Sequence, residues 1–310
     1  MNKVLSIVVP AYNEETTITT FFDTVEKVVK LPAGYSIEYW FIDDGSKDKT
    51  ADVVRRLNAQ YPDRVHYVLF SRNFGKEAAL YAGLQSAQGD YVAVMDADLQ
   101  DPPEMLPEML NGIENDGYDV VGTIRTTREG EPPIRSFFAE LFYKLINRIS
   151  STPMPSGVRD YRLMTRQVVD AILSLAERNR FSKGLFSWVG FNTKYLEYKN
   201  IDRTAGSSSW SFGKLFAYSI EGIVSFSVVP LAIVSVLGIA IALLSAIAIA
   251  FIILRKVLYG GSVDGWASLV SVILFMSGIQ LTSLGIVGEY ISKIYLEIKN
   301  RPIYIAKESK

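Results

Sequence analysis

Two stretches of this sequence contain no charged residue, Gly222 to Leu254 and Trp266 to Gly288, and their length restricts the fold more than any other feature. Within the first, Val228 to Leu254 is aliphatic apart from Pro230, Ser235, Gly238, Ser245 and Phe251. At about 1.5 Å of rise per helical residue, such runs can cross a hydrocarbon layer of roughly 30 Å with some tilt. Length and absence of charge both favour lipid over the interior of a soluble core. The intervening Arg255 to Gly265 includes Gly260, Gly261 and Asp264 and reads as a short turn, which makes the pair a helical hairpin with both flanks on one side. The tail carries Lys293, Lys299, Arg301, Lys307 and Lys310, whereas the turn has only Arg255 and Lys256. This bias predicts a multi-pass protein of the cytoplasmic membrane, with the N-terminal domain and both termini cytoplasmic. Met1 to Glu15 does not resemble a secretory signal.

The remaining composition excludes several chemistries. Cysteine is absent and histidine occurs once, so disulfides, thiolate nucleophiles and two-histidine metal motifs are ruled out, and any metal must sit on oxygen ligands. With 32 basic and 33 acidic side chains the formal net charge is -1, which does not point to nucleic acid as a partner. No Gly-X-Gly pair and no Gly-X4-Gly-Lys-Ser/Thr occurs, so the dinucleotide fingerprint and the P-loop are both missing.

Up to about residue 125, short β-rich runs alternate with helical patterns. Leu5–Val9, Tyr39–Ile42, His66–Phe70, Tyr91–Met95 and Asp119–Thr123 read as strands, and Glu14–Lys30, Asp48–Gln60, Lys76–Ala87 and Glu104–Asn115 as helices. The alternation predicts an α/β domain with a mainly parallel sheet and a ligand site at the carboxyl ends of the strands. His66 falls inside a strand pattern and reads as a sheet residue. Residues 136–150 carry an apolar helical stripe of Phe137, Phe138, Leu141, Phe142, Leu145, Ile146 and Ile149, compatible with a membrane-interface helix or with packing on the sheet. The aromatic residues of 211–227, just before the first span, fit a juxtamembrane amphipathic segment.

Chemistry concentrates where strands end. Asp96-Ala97-Asp98 directly follows an apolar strand and precedes Gln100 and Asp101; two carboxylates at this spacing can reach one hard cation such as Mg²⁺. Pro10-Ala11-Tyr12-Asn13-Glu14 and Asp43-Asp44-Gly45-Ser46 load two further strand ends with polar groups. Together they make one polar rim suited to a nucleotide and its metal-bound diphosphate. Asn13 or Ser46 can also cap the following helices, and the two roles are compatible.

These segments, with Ser71-Arg72-Asn73-Phe74-Gly75-Lys76-Glu77 and Met95 to Pro103, resemble glycosyltransferase family 2. The hairpin, Gly288-Glu289-Tyr290 and Arg301-Pro302-Ile303-Tyr304 narrow the resemblance to the polyprenyl-phosphate glycosyltransferases, the bactoprenol glucosyltransferase and dolichyl-phosphate mannose synthase group. It runs in order along almost the whole chain. The resemblance implies a GT-A nucleotide-sugar-binding catalytic domain over residues 1–210, with an interfacial helix at about 136–150. The juxtamembrane segment 211–227, transmembrane helices 228–254 and 266–288, and a basic tail 289–310 would follow.

It further implies that Asp96, Asp98 and Gln100 hold Mg²⁺ or Mn²⁺, with Asp98 also catalytic. Pro10, Tyr12, Glu14, Asp43, Arg72, Asp96 and Arg203 would contact the nucleotide. Arg125 and Arg135 would bind the acceptor phosphate, and Asp160 would act as base or sugar contact. A phosphomonoester has its second pKa at about 6, so its dianion needs little proton removal, and Asp160 is expected mainly to orient the donor sugar or the arginines. Arg203 to Trp210 resembles a loop of the form Arg-X-X-Gly-X-Ser-Lys-Trp/Tyr that closes over the diphosphate, but Ser209 stands where lysine is expected.

The implied reaction is inverting transfer of one sugar to undecaprenyl or another polyprenyl phosphate at the cytoplasmic face. UDP-glucose is the first choice of donor; UDP-N-acetylglucosamine, an aminoarabinose donor and GDP-mannose stay open, as does homo-oligomeric assembly. A processive synthase would need more spans and a Gln-X-X-Arg-Trp motif. A non-catalytic nucleotide-sugar-binding scaffold is the alternative from another class, with Ser209 its single hint.

Overall fold

The computed structural model describes residues 3–125, 133–150, 152–175, 177–198, 212–259 and 265–310. One sheet organises the N-terminal unit. Its strands are β1 (Lys3–Ala11), β2 (Tyr35–Asp43), β3 (Val65–Phe70), β4 (Tyr91–Val94), β5 (Val120–Arg125), β6 (Val158–Thr165), β7 (Thr193–Tyr198) and β8 (Ala306–Ser309), in the spatial order β7-β5-β6-β4-β1-β2-β3-β8. The pairs β1/β2, β1/β4, β2/β3 and β5/β7 are parallel. The pairs β4/β6, β5/β6 and β3/β8 are antiparallel. The expected sheet is therefore mixed, with its parallel part centred on β1.

Period-2 alternation along β1 divides the interior into two cores. Leu5, Ile7, Val9 and Ala11 face one core with α1 (Ile18–Val28), α2 (Thr50–Gln60) and α4 (Leu106–Glu114). Val8 faces the other with α3 (Lys76–Ser86) and α6 (Arg166–Ser174). Both faces of the strand are thus buried, which is why it reads as an unbroken apolar run rather than an alternating one. The helix α3 lies unusually near the sheet: a Cβ on Gly83 would come within 2.1 Å of Val8 Cγ1. That close approach brings its N-terminal residue, Lys76, over the strand ends.

Expected element boundaries shift where loops have other work. The helix expected from Glu14 starts at Ile18, because residues 13–15 hydrogen-bond to the neighbouring loop. Neither Asn13 nor Ser46 caps a helix; the N-caps of α1 and α2 are Thr17 and Lys49, without side-chain caps. His66 lies on β3, stacked on Trp40 with ring centroids 4.7 Å apart. The helix α5 (Pro133–Ile149) covers the expected stripe, but the stripe divides: Ile146 is fully buried while Leu141 and Leu145 are exposed. The short helix α7 (Ser182–Trp188) completes the unit around β6.

A second compact unit spans Ile223–Asn300. The helix α8 (Phe212–Phe226) leads into it, and α9 (Val229–Tyr259) and α10 (Trp266–Ile298) form it. Of 31 and 33 residues, the latter two run roughly 45 and 50 Å and are candidate membrane spans. Both extend past the expected ends at Leu254 and Gly288, the second through Glu289, Lys293 and Glu297. Tyr290 donates a hydrogen bond of 2.6 Å to the Ser227 carbonyl and ties the two helices near their outer ends.

Candidate active site

Three loops at the carboxyl ends of β1, β2 and β3 are bound to one another through short polar side chains. Asn13 N–H donates to Ser46 Oγ at 2.9 Å and Lys47 N–H donates to Asn13 Oδ1 at 2.9 Å, so each loop satisfies the other's backbone. Glu15 and Asp48 repeat the exchange: Glu15 N–H reaches Asp48 at 3.2 Å, and Lys49 N–H reaches Glu15 at 2.9 Å. Buried Asp43 accepts the Ser46 N–H at 3.1 Å and its hydroxyl. Buried Asp44 accepts the N–H of Phe74 at 2.6 Å and of Gly75 at 2.9 Å, which fastens the β2 loop to the β3 loop. Burial pushes both carboxyls up, and these hydrogen bonds oppose it. Between them Gly45 has φ +67°, and a Cβ there would fall 2.3 Å from the Arg72 carbonyl carbon.

The fourth loop carries Asp96 and Asp98. The antiparallel register pairs Val94 with Arg162; continued two residues, it sets Asp160 opposite Asp96. Lys76 fills the space between, its Nζ 2.8 Å from Asp96 Oδ1 and 2.7 Å from Asp160 Oδ2. Burial works against the lysine's charge, but Asp160 and Asp96 outweigh it and hold the pKa well above the usual range. Burial likewise opposes the Asp160 charge, and Lys76, Lys183 and Arg162 overcome it, holding this carboxyl far below the carboxylate range. A second tie lies alongside: Asp101, 1 % exposed, accepts from Arg159 Nε at 3.3 Å and from the Tyr198 hydroxyl at 2.7 Å. Glu77, next to Lys76, accepts the Ser182 N–H at 3.0 Å and its hydroxyl, and burial pushes it up to about 7.

The backbone is strained at this rim. Asn13 has φ 57° and Leu99 has φ 55°, in the left-handed region that side chains with a Cβ seldom adopt. Such residues cost about 1–2 kcal/mol each, and they cluster at functional sites.

Most residues expected at the site do converge there. Pro10, Tyr12 and Glu14 follow β1, with Tyr12 exposed and Glu14 N–H held by Thr50 Oγ1 at 2.8 Å. Exposed Arg72 lays its guanidinium 4.0 Å from the centre of the Phe74 ring. Asp98 Oδ1 accepts the Gln100 N–H at 3.2 Å. Arg125 ends β5, its N–H 3.2 Å from the Gly157 carbonyl. Arg135 lies on α5, but its side chain is outside the described residues, as are Arg203 and Ser209. Lys76, Glu77, Arg159, Arg162 and Lys183 were not singled out from sequence, and Asp101 was noted in the acidic cluster without a role. The first two stand inside the quoted Ser71–Glu77 motif, which was the available signal.

The donor set suits a hard cation. Among the described residues no group of three or more His, Cys, Asp or Glu gathers, so a metal here would have Asp96 and Asp98 as its carboxylates. That is the arrangement Mg²⁺ accepts, with substrate phosphates and water completing the shell. The amine of Lys76 already occupies a cation position against Asp96, so this carboxylate is arranged to face positive charge.

An acidic strand-end cluster on a GT-A-like α/β fold defines a sugar-transferring enzyme, a glycosyltransferase. The sequence model of glycosyl transferase family 2 matches residues 6–173, and the chain belongs to that family. The putative glycosyltransferase CsbB of Bacillus subtilis is 45% identical over 306 residues, 99% of this chain and 92% of that protein. The SfII prophage-derived bactoprenol glucosyl transferase of Shigella flexneri is 43% identical over 305 residues, 98% of each. Glucosyl-3-phosphoglycerate synthase of Mycobacterium tuberculosis, solved with Mn²⁺, UDP-glucose and phosphoglyceric acid, aligns with TM-score 0.47 and 21% identity over 72% of this chain and 78% of its own.

Proposed function

We propose that this glycosyltransferase moves one hexosyl unit from a nucleoside diphosphate sugar, UDP-glucose first among them, to a polyprenyl phosphate at the cytoplasmic face of the membrane. The observation that carries the reading is the joining, in one chain, of the Asp96–Lys76–Asp160 constellation to a pair of long apolar helices whose following tail returns to the catalytic sheet. Relatives named as bactoprenol glucosyl transferases, aligned over 98% of the chain, support the lipid acceptor.

An acceptor phosphate oxygen attacks the anomeric carbon as the bond to the diphosphate breaks on the opposite face, so the configuration inverts. Pro10, Tyr12, Glu14, Asp43, Arg72 and Arg203 hold the nucleotide. Asp96 and Asp98, with Gln100, would hold Mg²⁺ or Mn²⁺, which supplies charge neutralisation for the departing diphosphate. Arg125 and Arg135 meet the acceptor phosphate with guanidinium forks. Asp160 serves as an orienting group rather than a base: paired with Lys76, its carboxyl is too weakly basic to take a proton near neutrality, and an acceptor dianion needs none removed.

The test is transfer itself. Detergent-solubilised protein, undecaprenyl phosphate and a panel of labelled UDP- and GDP-sugars are incubated with Mg²⁺, with and without chelator, and label entering organic solvent is counted. Chelator-sensitive transfer from UDP-glucose is expected. Transfer from UDP-N-acetylglucosamine, an aminoarabinose donor or GDP-mannose instead would reassign the sugar, and no lipid labelling from any donor would sink the reading.

A further inference from the structure

The tail motif Arg301-Pro302-Ile303-Tyr304 has no part in the chemistry proposed above, yet its last residue begins a line of rings that ends at Arg72. Tyr304 stacks on Phe70 with ring centroids 4.8 Å apart and planes 19° from parallel. Phe70, 3 % exposed at the end of β3, meets Phe74 edge to face at 5.8 Å and 89°. Phe74 in turn carries the Arg72 guanidinium 4.0 Å from its ring centre, and Arg72 Nη1 donates to the Asn73 carbonyl at 2.9 Å. Tyr304 is itself held at two points: its hydroxyl donates to Gln85 Oε1 at 3.0 Å, and the next residue, Ile305, accepts the Ser71 N–H at 2.9 Å. The ladder between β3 and β8 changes register between Leu69 and Phe70, so the stacked rings rather than an even ladder join the two segments at this point.

Arg72 is exposed, and an exposed arginine samples many rotamers unless something holds it. The Phe74 ring is what holds its guanidinium face. The backbone under that ring is fixed by the bond from the Phe74 N–H to Asp44 at 2.6 Å, but this bond leaves the direction of the ring open. Phe70 sets the direction, and Tyr304 packs on Phe70. We infer that Tyr304 is a positioning residue for donor binding: through Phe70 and Phe74 it holds the Arg72 guanidinium in place for the nucleotide. The inference rests on the nucleotide role proposed above for Arg72. A cation already stacked when its anion arrives has less freedom to lose on binding, so the complex forms with higher affinity than from a free side chain. The chain that follows α10 is thereby tied to the loop that carries Arg72, and docking of the tail and occupation of the nucleotide site favour each other.

Full-length protein in detergent is titrated with UDP in the presence of Mn²⁺ by calorimetry, as wild type, Tyr304→Leu, Tyr304→Phe, Arg72→Ala and the Arg72→Ala/Tyr304→Leu pair. Leucine keeps apolar bulk against Phe70 but not the ring plane, whereas phenylalanine keeps the plane and loses only the Gln85 bond. Freeing the arginine raises the Kd about threefold to tenfold in Tyr304→Leu, and Tyr304→Phe recovers most of the affinity. Removing the arginine in Arg72→Ala raises it about tenfold or more. In the pair, Tyr304→Leu adds nothing to Arg72→Ala, a non-additivity that a general loss of stability would not produce. A Kd unchanged in Tyr304→Leu while Arg72→Ala weakens binding overturns the inference and leaves the nucleotide reading standing, and full additivity in the pair overturns it equally. An unchanged Kd in Arg72→Ala removes Arg72 from the nucleotide site and takes the inference with it. Amide hydrogen exchange tests the ring contacts without any nucleotide: the Phe74 and Gly75 N–H groups exchange about threefold faster or more in Tyr304→Leu than in wild type. Exchange unchanged at those two groups overturns the inference.

Discussion

Lys76 is the residue on which the site's electrostatics turn, since it bridges Asp96 and Asp160, which would otherwise face each other as like charges. Lys76→Met should lower kcat/KM by about a hundredfold or more, because breaking a half-buried ion pair costs about 3 kcal/mol or more and leaves a bare carboxylate pair. Steady-state kinetics at saturating donor check it; a loss below fivefold would remove Lys76 from the machinery. The depressed Asp160 carboxyl has a linked consequence. Its pairing is fully formed above the ordinary carboxylate range and is lost only as pH falls through the much lower folded value, so Asp160 does not titrate in a usual assay. The acid limb of the rate profile should follow the acceptor's second ionisation near about 6, and Asp160→Asn should lower the rate while keeping that limb. Disappearance of the limb in this variant would restore Asp160 as the base. Glu77 has the opposite sign: its carboxyl is raised to about 7, so its stabilising contribution is complete below about 4.5 and is lost as pH rises through 7. Glu77→Gln, which can still accept the Ser182 N–H, should match wild type in unfolding free energy near pH 4 and exceed it at pH 8 by up to roughly 3 kcal/mol, as read by denaturant titration.

At the level of elements, the tail strand β8 is the least expected part of the fold and an informative one. It pairs with β3, and Ser71 N–H donates to the Ile305 carbonyl at 2.9 Å, next to Arg72, one of the residues proposed to hold the nucleotide. Tyr304 stacks on Phe70 at 4.8 Å and its hydroxyl reaches Gln85 at 3.0 Å. The ion pair of Glu308 with Arg55 at 2.8 Å is over a third exposed on both sides, so it adds well under about 1 kcal/mol. Glu308→Gln should therefore leave the melting temperature nearly unchanged, while truncation after Arg301 should lower it by several degrees and weaken donor binding, because β3 becomes a bare edge. Calorimetry and donor titration on both variants check this; equal behaviour would refute the structural role of the strand. Nothing in Ala306–Ser309 alternates in polarity, so a strand held by backbone ladder and tertiary contacts left no trace in the sequence pattern. The strand β6 was hidden for a different reason. Arg159, Asp160 and Arg162 give Val158–Thr165 the look of a surface loop, and only Asp101, Lys76 and the Phe186 ring, brought from distant elements, make those charges tolerable inside a sheet. By contrast β1 to β5 and the acidic strand ends were legible, since burial on two faces demands apolar runs and the carboxylates break them abruptly. Lys76 went unnoticed because its meaning lies in Asp160, on the strand that the pattern concealed.

Across the whole molecule, the return of the tail to the catalytic sheet constrains how the apolar helices can be placed. Tyr67 and Lys310 exchange backbone hydrogen bonds of 2.9 and 3.0 Å, so the chain before α9 and the chain after α10 belong to one folded unit. If both helices cross the bilayer, their outer flanks must then share a face, independently of any count of basic residues. The reading proposed above makes that shared face the cytoplasmic one, and the basic residues of the tail are the sequence feature that favours it. The absence of cysteine makes this directly measurable, because a single introduced thiol reports without background. Val263→Cys, between the helices, should react with a membrane-impermeant maleimide in intact cells. Lys310→Cys should react only after permeabilisation. Labelling of Lys310→Cys from outside, with Val263→Cys protected until permeabilisation, would leave the hairpin intact but reverse its orientation and remove the catalytic domain from cytoplasmic nucleotide sugars. Exclusion of both until permeabilisation, or labelling of both from outside, would mean that the helices lie along the membrane rather than through it.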